Sequence, residues 1–149
     1  MAKVKIPETP AERLELAKRY LQNAKDMLRM AGINKEIGFY EDVKYVSAAS
    51  GTAYLAALEA LRALLMEKMG WDSDGVKKRT KDIGSYRKAL KSLSIGKDRD
   101  ALLYLLRDVY NILHLGGYYR ELQDKKAIDS GFEKVAKIIQ IVEKHITQP

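Results

Sequence analysis

The chain has 149 residues, 46% of them hydrophobic, which is enough for one domain with a continuous core, and no apolar stretch is long enough to predict a membrane span. It has no cysteine and only two histidines, which excludes disulfides, thiolate metal sites and cysteine nucleophiles and favours a protein that needs no metal or cofactor. The formal charge of +7 suits an anionic partner such as RNA, a nucleotide or an acidic protein.

The first helix is predicted to begin in the segment TPAE. Thr9 is suited to the N-cap, Pro10 to the first helical position, and Glu12 to the return bond of a capping box. Apolar residues then recur at spacings of three and four as far as Gly32, which predicts an amphipathic helix that stops there. A loop is predicted to follow.

The second helix is predicted from about Tyr40 to Met69, with Gly70 as its stop. Its centre is apolar on nearly all sides and rich in alanine, which predicts a central helix that several neighbours approach closely. Glu59 and Arg62 interrupt this surface, and their spacing predicts an ion pair at the protein surface. The segment WDSDG that follows predicts a turn.

Two further helices are predicted in the second half of the chain before the last one. A short helix is expected from about Ser85 to Leu93, inside a basic segment. A longer helix is expected to run from Asp98, which is suited to the N-cap, to about His114. Gly116 and Gly117 predict that this helix ends directly after the histidine.

The last helix is predicted to open with a capping box of Ser130 and Glu133, after a polar loop with the sequence ELQDKKAID. It is expected to continue to about Ile146, with His145 as a surface residue in its frayed end. No strand-like alternation competes with these helices. The pattern therefore predicts one cytoplasmic all-α domain with its core at about residues 9–146, folded as an antiparallel four-helix bundle with an additional short helix.

The segment between residues 77 and 99 concentrates nine lysines and arginines against two aspartates. A solvated surface is the common explanation of such a run, and contact with an anionic partner is the alternative. Tyrosines along the chain can stack on bases, although tyrosines at helical spacing more often pack in the core. Six residues of this segment are the candidates for binding RNA: Lys77, Lys78, Arg79, Lys81, Arg87 and Lys88.

A second candidate site lies in the sequence LLRDVYNILHLGGYY. On a regular α-helix, Arg107 and His114 are about 20° apart around the axis and about 10 Å apart along it. A phosphate between them would meet a planar guanidinium and an imidazole that exchanges protons near neutral pH, as metal-independent RNA cleavage requires. A solvated arginine and a histidine favoured by the helix C-terminus would explain the same pair without any chemistry.

Arg107, Asp108 and His114 match the R-x(4–6)-H motif of the HEPN family, which lies on the penultimate helix and often has Asn, Asp or His directly after the arginine. The chain also resembles this family in its helix order over residues 11–146. The resemblance implies a homodimeric helical bundle in which two motifs meet at one cleft and cut RNA without metal. It implies that Arg107 holds and polarises the scissile phosphate, that His114 acts as general base or acid, and that Asp108 orients or contacts the groups around them.

The sequence is also compatible with two other functions. Some members of the family serve as binding or scaffold modules, so the chain is alternatively a non-catalytic bundle that binds a protein partner, with Arg107 and His114 in structural positions. In the third hypothesis, a cleft between helices holds a nucleotide or another small molecule, which would raise the melting temperature by mass action.

Overall fold

The computed structural model describes residues 5–146 and confirms the all-α prediction in its coarse form. Across these residues, no helix is long and apolar enough to cross a membrane. Two very short antiparallel strands, which the sequence pattern did not indicate, also form, with Ile33 opposite Tyr40. The elements are α1 (Pro10–Arg29), β1 (Ile33–Asn34), β2 (Phe39–Tyr40), α2 (Val43–Met69), α3 (Ser73–Arg79), α4 (Ile83–Lys91), α5 (Lys97–Val109), a π-helical segment (Tyr110–Tyr119) that continues α5, and α6 (Lys125–His145).

The capping box predicted for α1 is confirmed. The Thr9 hydroxyl accepts from the Glu12 backbone N–H, and the Glu12 carboxylate accepts from the Thr9 N–H, each at 3.1 Å. These bonds satisfy two of the donors that a helix start leaves free. The apolar face of α1 packs along α2, and the chain turns away at Gly32, whose φ of +72° suits glycine.

The predicted central position of α2 is also confirmed. Helix α2 contacts α1, α6 and the π-helical segment, and most of its alanines are fully buried. Asp42 caps its start, slightly later than predicted, and Gly70 closes it in the left-handed conformation. Small side chains on several faces let three neighbours approach one helix, which is why the core lies around α2.

The predicted turn WDSDG forms the start of an extra helix. Asp72 accepts from the Gly75 N–H at 2.6 Å and so caps α3. The following helix, α4, begins at Ile83 rather than at Ser85, because Asp82 caps it by accepting from the Ser85 N–H at 2.7 Å. The basic segment is thus mostly helical.

Gly116 and Gly117 do not end the helix, contrary to the prediction. The chain continues through both of them as a π-helix and leaves it only at Arg120. Gly117 is buried against α2, where a β-carbon would lie 2.1 Å from the Ser50 hydroxyl oxygen. The absence of a side chain at this position therefore serves close packing on α2 and not helix termination.

The predicted N-cap at Asp98 is also wrong. Helix α5 begins at Lys97 after Gly96, and Asp98 accepts no capping bond. Its carboxylate lies 2.8 Å from His145 Nε2 and 3.3 Å from Lys144 Nζ, both at the end of α6. His145 is consequently half-buried and paired, not a frayed surface residue as predicted.

Helix α6 begins earlier than predicted. Asp124 caps it by accepting from the Ala127 N–H at 3.3 Å, so the segment KKAID is helical and not a loop. The predicted capping box of Ser130 and Glu133 does not form. Ser130 lies inside the helix, where its hydroxyl accepts from Lys134 at 2.7 Å. The same capping sequence can occur at a helix start or inside a helix, and only the conformation of the preceding residues distinguishes the two cases.

In the ion pair predicted at the surface of α2, the Glu59 carboxylate is buried and Arg62 is partly exposed. Glu59 accepts from Arg62 Nη1 at 2.9 Å, as its spacing indicates, but it also accepts from Arg13 Nη1 of α1 at 2.5 Å. Arg13 also donates to the Ser73 hydroxyl, and Arg62 to the hydroxyl and carbonyl of Thr80. One carboxylate therefore joins α1, α2 and the segment around α3.

Candidate functional site: a basic groove and an aromatic pocket

Arg107 lies in a groove of about 480 Å³ between α4 and α5, which we call the basic groove. Its guanidinium carbon is 4.9 Å from the centre of the Tyr104 ring, and its side chain is 54% exposed. An exposed guanidinium beside an exposed aromatic ring presents both a planar donor and a stacking surface. The basic groove is lined by Arg87, Lys91, Asp100, Leu103, Tyr104 and Arg107.

Positive charge dominates the basic groove. Arg87 and Lys91 are one turn apart on α4 and face Arg107 of α5 across it. Asp100 supplies a carboxylate, but Arg99 contacts it at 3.5 Å. Three cations thus converge on one surface that is open to solvent, which favours an anion with several oxygens.

Asp108 lies beside Arg107. Its Oδ1 is 3.4 Å from both Nε and Nη2 of the guanidinium, in a long and weak contact. The prediction that Asp108 orients the motif is compatible with this position. The contact uses the Nε–H and one Nη2–H, so three of the five guanidinium donors of Arg107 stay available for a ligand.

His114 lies in a different depression, the aromatic pocket, which has a volume of about 340 Å³ between α2, α4 and the π-helical segment. Its ring stacks on Tyr54 of α2, with 4.8 Å between the centroids and 26° between the planes. Tyr110 and Tyr118 flank it at 5.3 and 6.0 Å. The pocket walls include Tyr54, Arg62, Asp82, Tyr86, Tyr110 and His114.

The π-helical segment explains why Arg107 and His114 do not share a face. A π-helix closes its hydrogen bonds from i to i+5 and so has more residues per turn than an α-helix, and seven residues that run into it no longer complete nearly two turns. Residues four apart lie on nearly the same side of either kind of helix, and Tyr110, His114 and Tyr118 accordingly form a ladder of rings. The expected separation of about 20° assumed regular α-helix.

The structure brings only two of the six candidate RNA-binding residues to these surfaces. Arg87 lines the basic groove, and Lys81 lines the aromatic pocket. Of the rest, Arg79 lies over the Trp71 ring at 4.9 Å. The four that lie outside both surfaces are exposed: Lys77, Lys78, Arg79 and Lys88.

The sequence pattern did not indicate that Lys91 of the basic segment and the tyrosine Tyr104, which can stack on a base, share one surface, and it did not single out Arg62 and Tyr86 as binding residues. The spacing of Arg87 and Lys91 by four residues on α4 was a signal for a shared face. No sequence signal links Arg62 and Tyr86, because they lie on α2 and α4 and meet only when these two helices pack together. In residues 5–146, no group of three or more His, Asp or Glu side chains is arranged to hold a metal ion.

Burial raises the pKa of Tyr54 and of Tyr86, so both phenols are neutral at physiological pH. The neighbouring Tyr86 and Tyr110 add to the effect on the pKa of Tyr54, while the charge of Arg87 opposes it. Neutral phenols keep their hydroxyl proton and can donate a hydrogen bond. The aromatic pocket therefore combines apolar ring faces with hydroxyl donors and the Arg62 guanidinium.

The residues that line the basic groove and the aromatic pocket all fall within the part of the chain that matches a known family. Residues 12–144 match the family described as Domain of unknown function (DUF5618). The chain is also similar to a solved structure, a protein of unknown function from Dyadobacter fermentans, with 34% sequence identity and a TM-score of 0.70 over 93% of this chain and 99% of the other. No curated protein matches the chain. Neither match names an activity, and the side chains of the basic groove and the aromatic pocket are what indicates a function.

Proposed function

This chain belongs to the DUF5618 family, whose description names no activity, and we propose from the geometry of its side chains that it binds RNA or a nucleotide. In this proposal the chain is a HEPN-like four-helix bundle with additional short helices. The phosphates lie in the basic groove and contact Arg87, Lys91 and Arg107. The convergence of these three cations from two helices is the observation that carries the proposal.

Charge and geometry both support a phosphate ligand. Guanidinium groups bind phosphate oxygens through two parallel N–H donors, and a lysine adds a compact charge. The exposed lysines of α3 and α4 extend the positive potential beyond the groove and would attract a longer strand. The exposed Tyr104 ring beside Arg107 offers a surface on which a base can stack.

Binding of a fluorescein-labelled single-stranded RNA, followed by anisotropy over a range of NaCl concentrations, tests the proposal. Arg107→Gln and Arg87→Gln should each weaken binding and lower the slope of log K against log salt by about one, because each substitution removes one cation from the phosphates. Arg19→Gln is the matched control, because Arg19 is an exposed arginine of α1 outside the groove. Equal effects of Arg107→Gln and Arg19→Gln would remove the basic groove from the proposal.

Metal-independent cleavage by Arg107 and His114 is the catalytic form of the same proposal. Within one chain the two residues line separate surfaces, so a joint site needs a homodimer in which Arg107 of one subunit and His114 of the other approach one phosphate. His114 would take the proton of the 2′-hydroxyl while its oxygen attacks phosphorus and the P–O5′ bond breaks, and the leaving 5′-oxygen would take a proton from water. Arg107 would stabilise the charge that develops on the phosphate, and Asp108 would orient Arg107.

Cleavage of labelled RNA in the presence of EDTA, with analysis for 2′,3′-cyclic phosphate ends, tests the catalytic form. His114→Ala should abolish cleavage while helicity stays intact, and His145→Ala, on the remote end of α6, should not. Undiminished cleavage by His114→Ala would exclude the mechanism. Binding without any cleavage by the wild type would leave an RNA-binding module, and sedimentation velocity would report whether the homodimer exists.

A non-catalytic module for a protein partner is the second candidate function. Apolar residues lie exposed around the short strands, where they are available to a partner: Met30, Ile33, Ile37 and Phe39. This candidate predicts neither RNA binding nor cleavage, so the same two assays decide between the functions.

A further inference from the structure

We infer that the aromatic pocket is a binding site for a single planar base, presented either by RNA or by a free nucleotide. The inference deepens the proposed function and rests on it, since it assigns the base to one surface and the phosphate to another. Tyr54, Tyr110 and His114 supply the ring faces, and Arg62 and Tyr86 supply polar groups at the wall.

The rings form a cluster at stacking distances. Tyr54 and His114 are nearly parallel at 4.8 Å, and Tyr110 lies 5.3 Å from His114 and 6.1 Å from Tyr54. The volume of about 340 Å³ falls in the range of small-molecule sites, roughly 300–1,000 Å³. A flat heteroaromatic ring matches such walls because its faces are apolar and polarisable while its edge is polar.

One wall group lacks a partner. Among the residues that the structure describes, the buried Tyr86 hydroxyl has no hydrogen-bond partner of normal geometry, although Arg62 and Thr80 lie near it. A buried polar atom without a partner costs free energy that a ligand with a polar edge would recover. Arg62 uses one N–H on each of its three nitrogens within the protein, so its two terminal nitrogens each retain a second donor.

The aromatic pocket adjoins the basic groove. Tyr86 and Arg87 are consecutive on α4, with Tyr86 in the pocket and Arg87 in the groove. Tyr110 follows Arg107 by one helical turn and likewise belongs to the other surface. The charge of Arg87 acts on the Tyr54 hydroxyl across the boundary, as its effect on the pKa of that group indicates. A nucleotide with its phosphate near Arg87 would therefore have its base beside the aromatic pocket.

The decisive test compares two ligands of equal charge. A labelled RNA octamer and an abasic octamer with the same ribose-phosphate backbone are titrated against the wild type. Stacking of one base predicts about 5- to 150-fold tighter binding of the base-containing octamer. In a Tyr104→Leu background, which removes the stacking ring of the basic groove, Tyr110→Leu should erase this preference and leave binding of the abasic octamer unchanged. Tyr119→Leu, a substitution of an exposed tyrosine outside both surfaces, should keep the preference.

The outcomes separate the inference from the proposed function. Equal affinity of the wild type for both octamers would overturn the base site while leaving the basic groove as the RNA-binding surface. Absence of binding to either octamer, together with no change in melting temperature in the presence of AMP or UMP, would overturn the proposed function itself. If Tyr110→Leu fails to fold, as judged by circular dichroism, Leu58→Trp provides a second variant, because Leu58 lines the pocket and a larger side chain would fill it.

Competition identifies the source of the base. Displacement of the labelled RNA by AMP or UMP, but not by ribose 5-phosphate, would assign the pocket to free nucleotides. Displacement only by oligonucleotides would assign it to RNA. Equal competition by ribose 5-phosphate and the mononucleotides would contradict recognition of a base.

Discussion

Removing the Glu59 carboxylate should lower the free energy of unfolding by about 3–5 kcal/mol. Glu59 lies between the guanidinium groups of Arg13 and Arg62, and the Arg13 side chain is only 3% exposed. In Glu59→Ala, Arg13 keeps a hydrogen bond to the Ser73 hydroxyl at 2.8 Å and a long one to the Pro7 carbonyl at 3.5 Å. The Arg13 charge would then stay buried without a counterion, and an unpaired buried charge strongly destabilises the folded state.

Urea denaturation at pH 7, followed by circular dichroism, measures this change in stability. Glu15→Ala is the matched control, because the Glu15 side chain is 67% exposed and lies 3.7 Å from Lys18, and such surface pairs contribute about 0–1 kcal/mol. The double variant Arg13→Met/Glu59→Leu should be destabilised less than Glu59→Ala, because it leaves no arginine charge at position 13 in the core. A cost of Glu59→Ala no larger than that of Glu15→Ala would refute the reasoning.

Two further predictions test the close packing of Gly117 on Ser50 and the ion pair between Asp98 and His145. Gly117→Ala should lower the free energy of unfolding by about 1–3 kcal/mol, because the new β-carbon meets the Ser50 side chain. Adding Ser50→Gly to this variant should recover part of the lost stability. Thermal melts measure both changes, and no change in melting temperature for Gly117→Ala would contradict the close packing. His145, aided by Lys144, holds the pKa of Asp98 below its usual value, so the stabilisation is present above about pH 4 and disappears as the pH falls through the folded-state pKa. Asp98→Asn should therefore be less stable than the wild type at pH 6, by less than about 1 kcal/mol because both groups are partly open to solvent. The difference should vanish near pH 2 in urea titrations, and a difference that persists there would contradict the ion pair.

The prediction of the helices succeeded where the signal was local. The capping box of Thr9 and Glu12 and the stop at Gly70 depend on contacts within one turn, and both form as predicted. The same kind of signal failed at Ser130, which has the right neighbours for a cap but lies inside α6. A cap forms only where the preceding residues leave the helix, and that depends on how the chain packs.

The prediction of the site was limited by an assumption about helix geometry. The motif residues Arg107 and His114 were expected on one face because seven residues nearly complete two turns of an α-helix. The π-helical segment changes the angle per residue and turns His114 toward Tyr54. No local sequence signal announced it, because Gly117 reads as a helix stop until its contact with Ser50 is known.

The sequence by itself determined the helical class, the capped start of α1, the alanine-rich central helix and the positive charge, because these depend on local contacts, periodicity and composition. Only the tertiary structure decided which cations share a groove, which rings share a pocket and which ion pair is buried. Arg87 and Arg107 are 20 residues apart, and Arg13 and Glu59 are 46 apart. Contacts at such separations follow from the packing of whole helices, which no local pattern encodes.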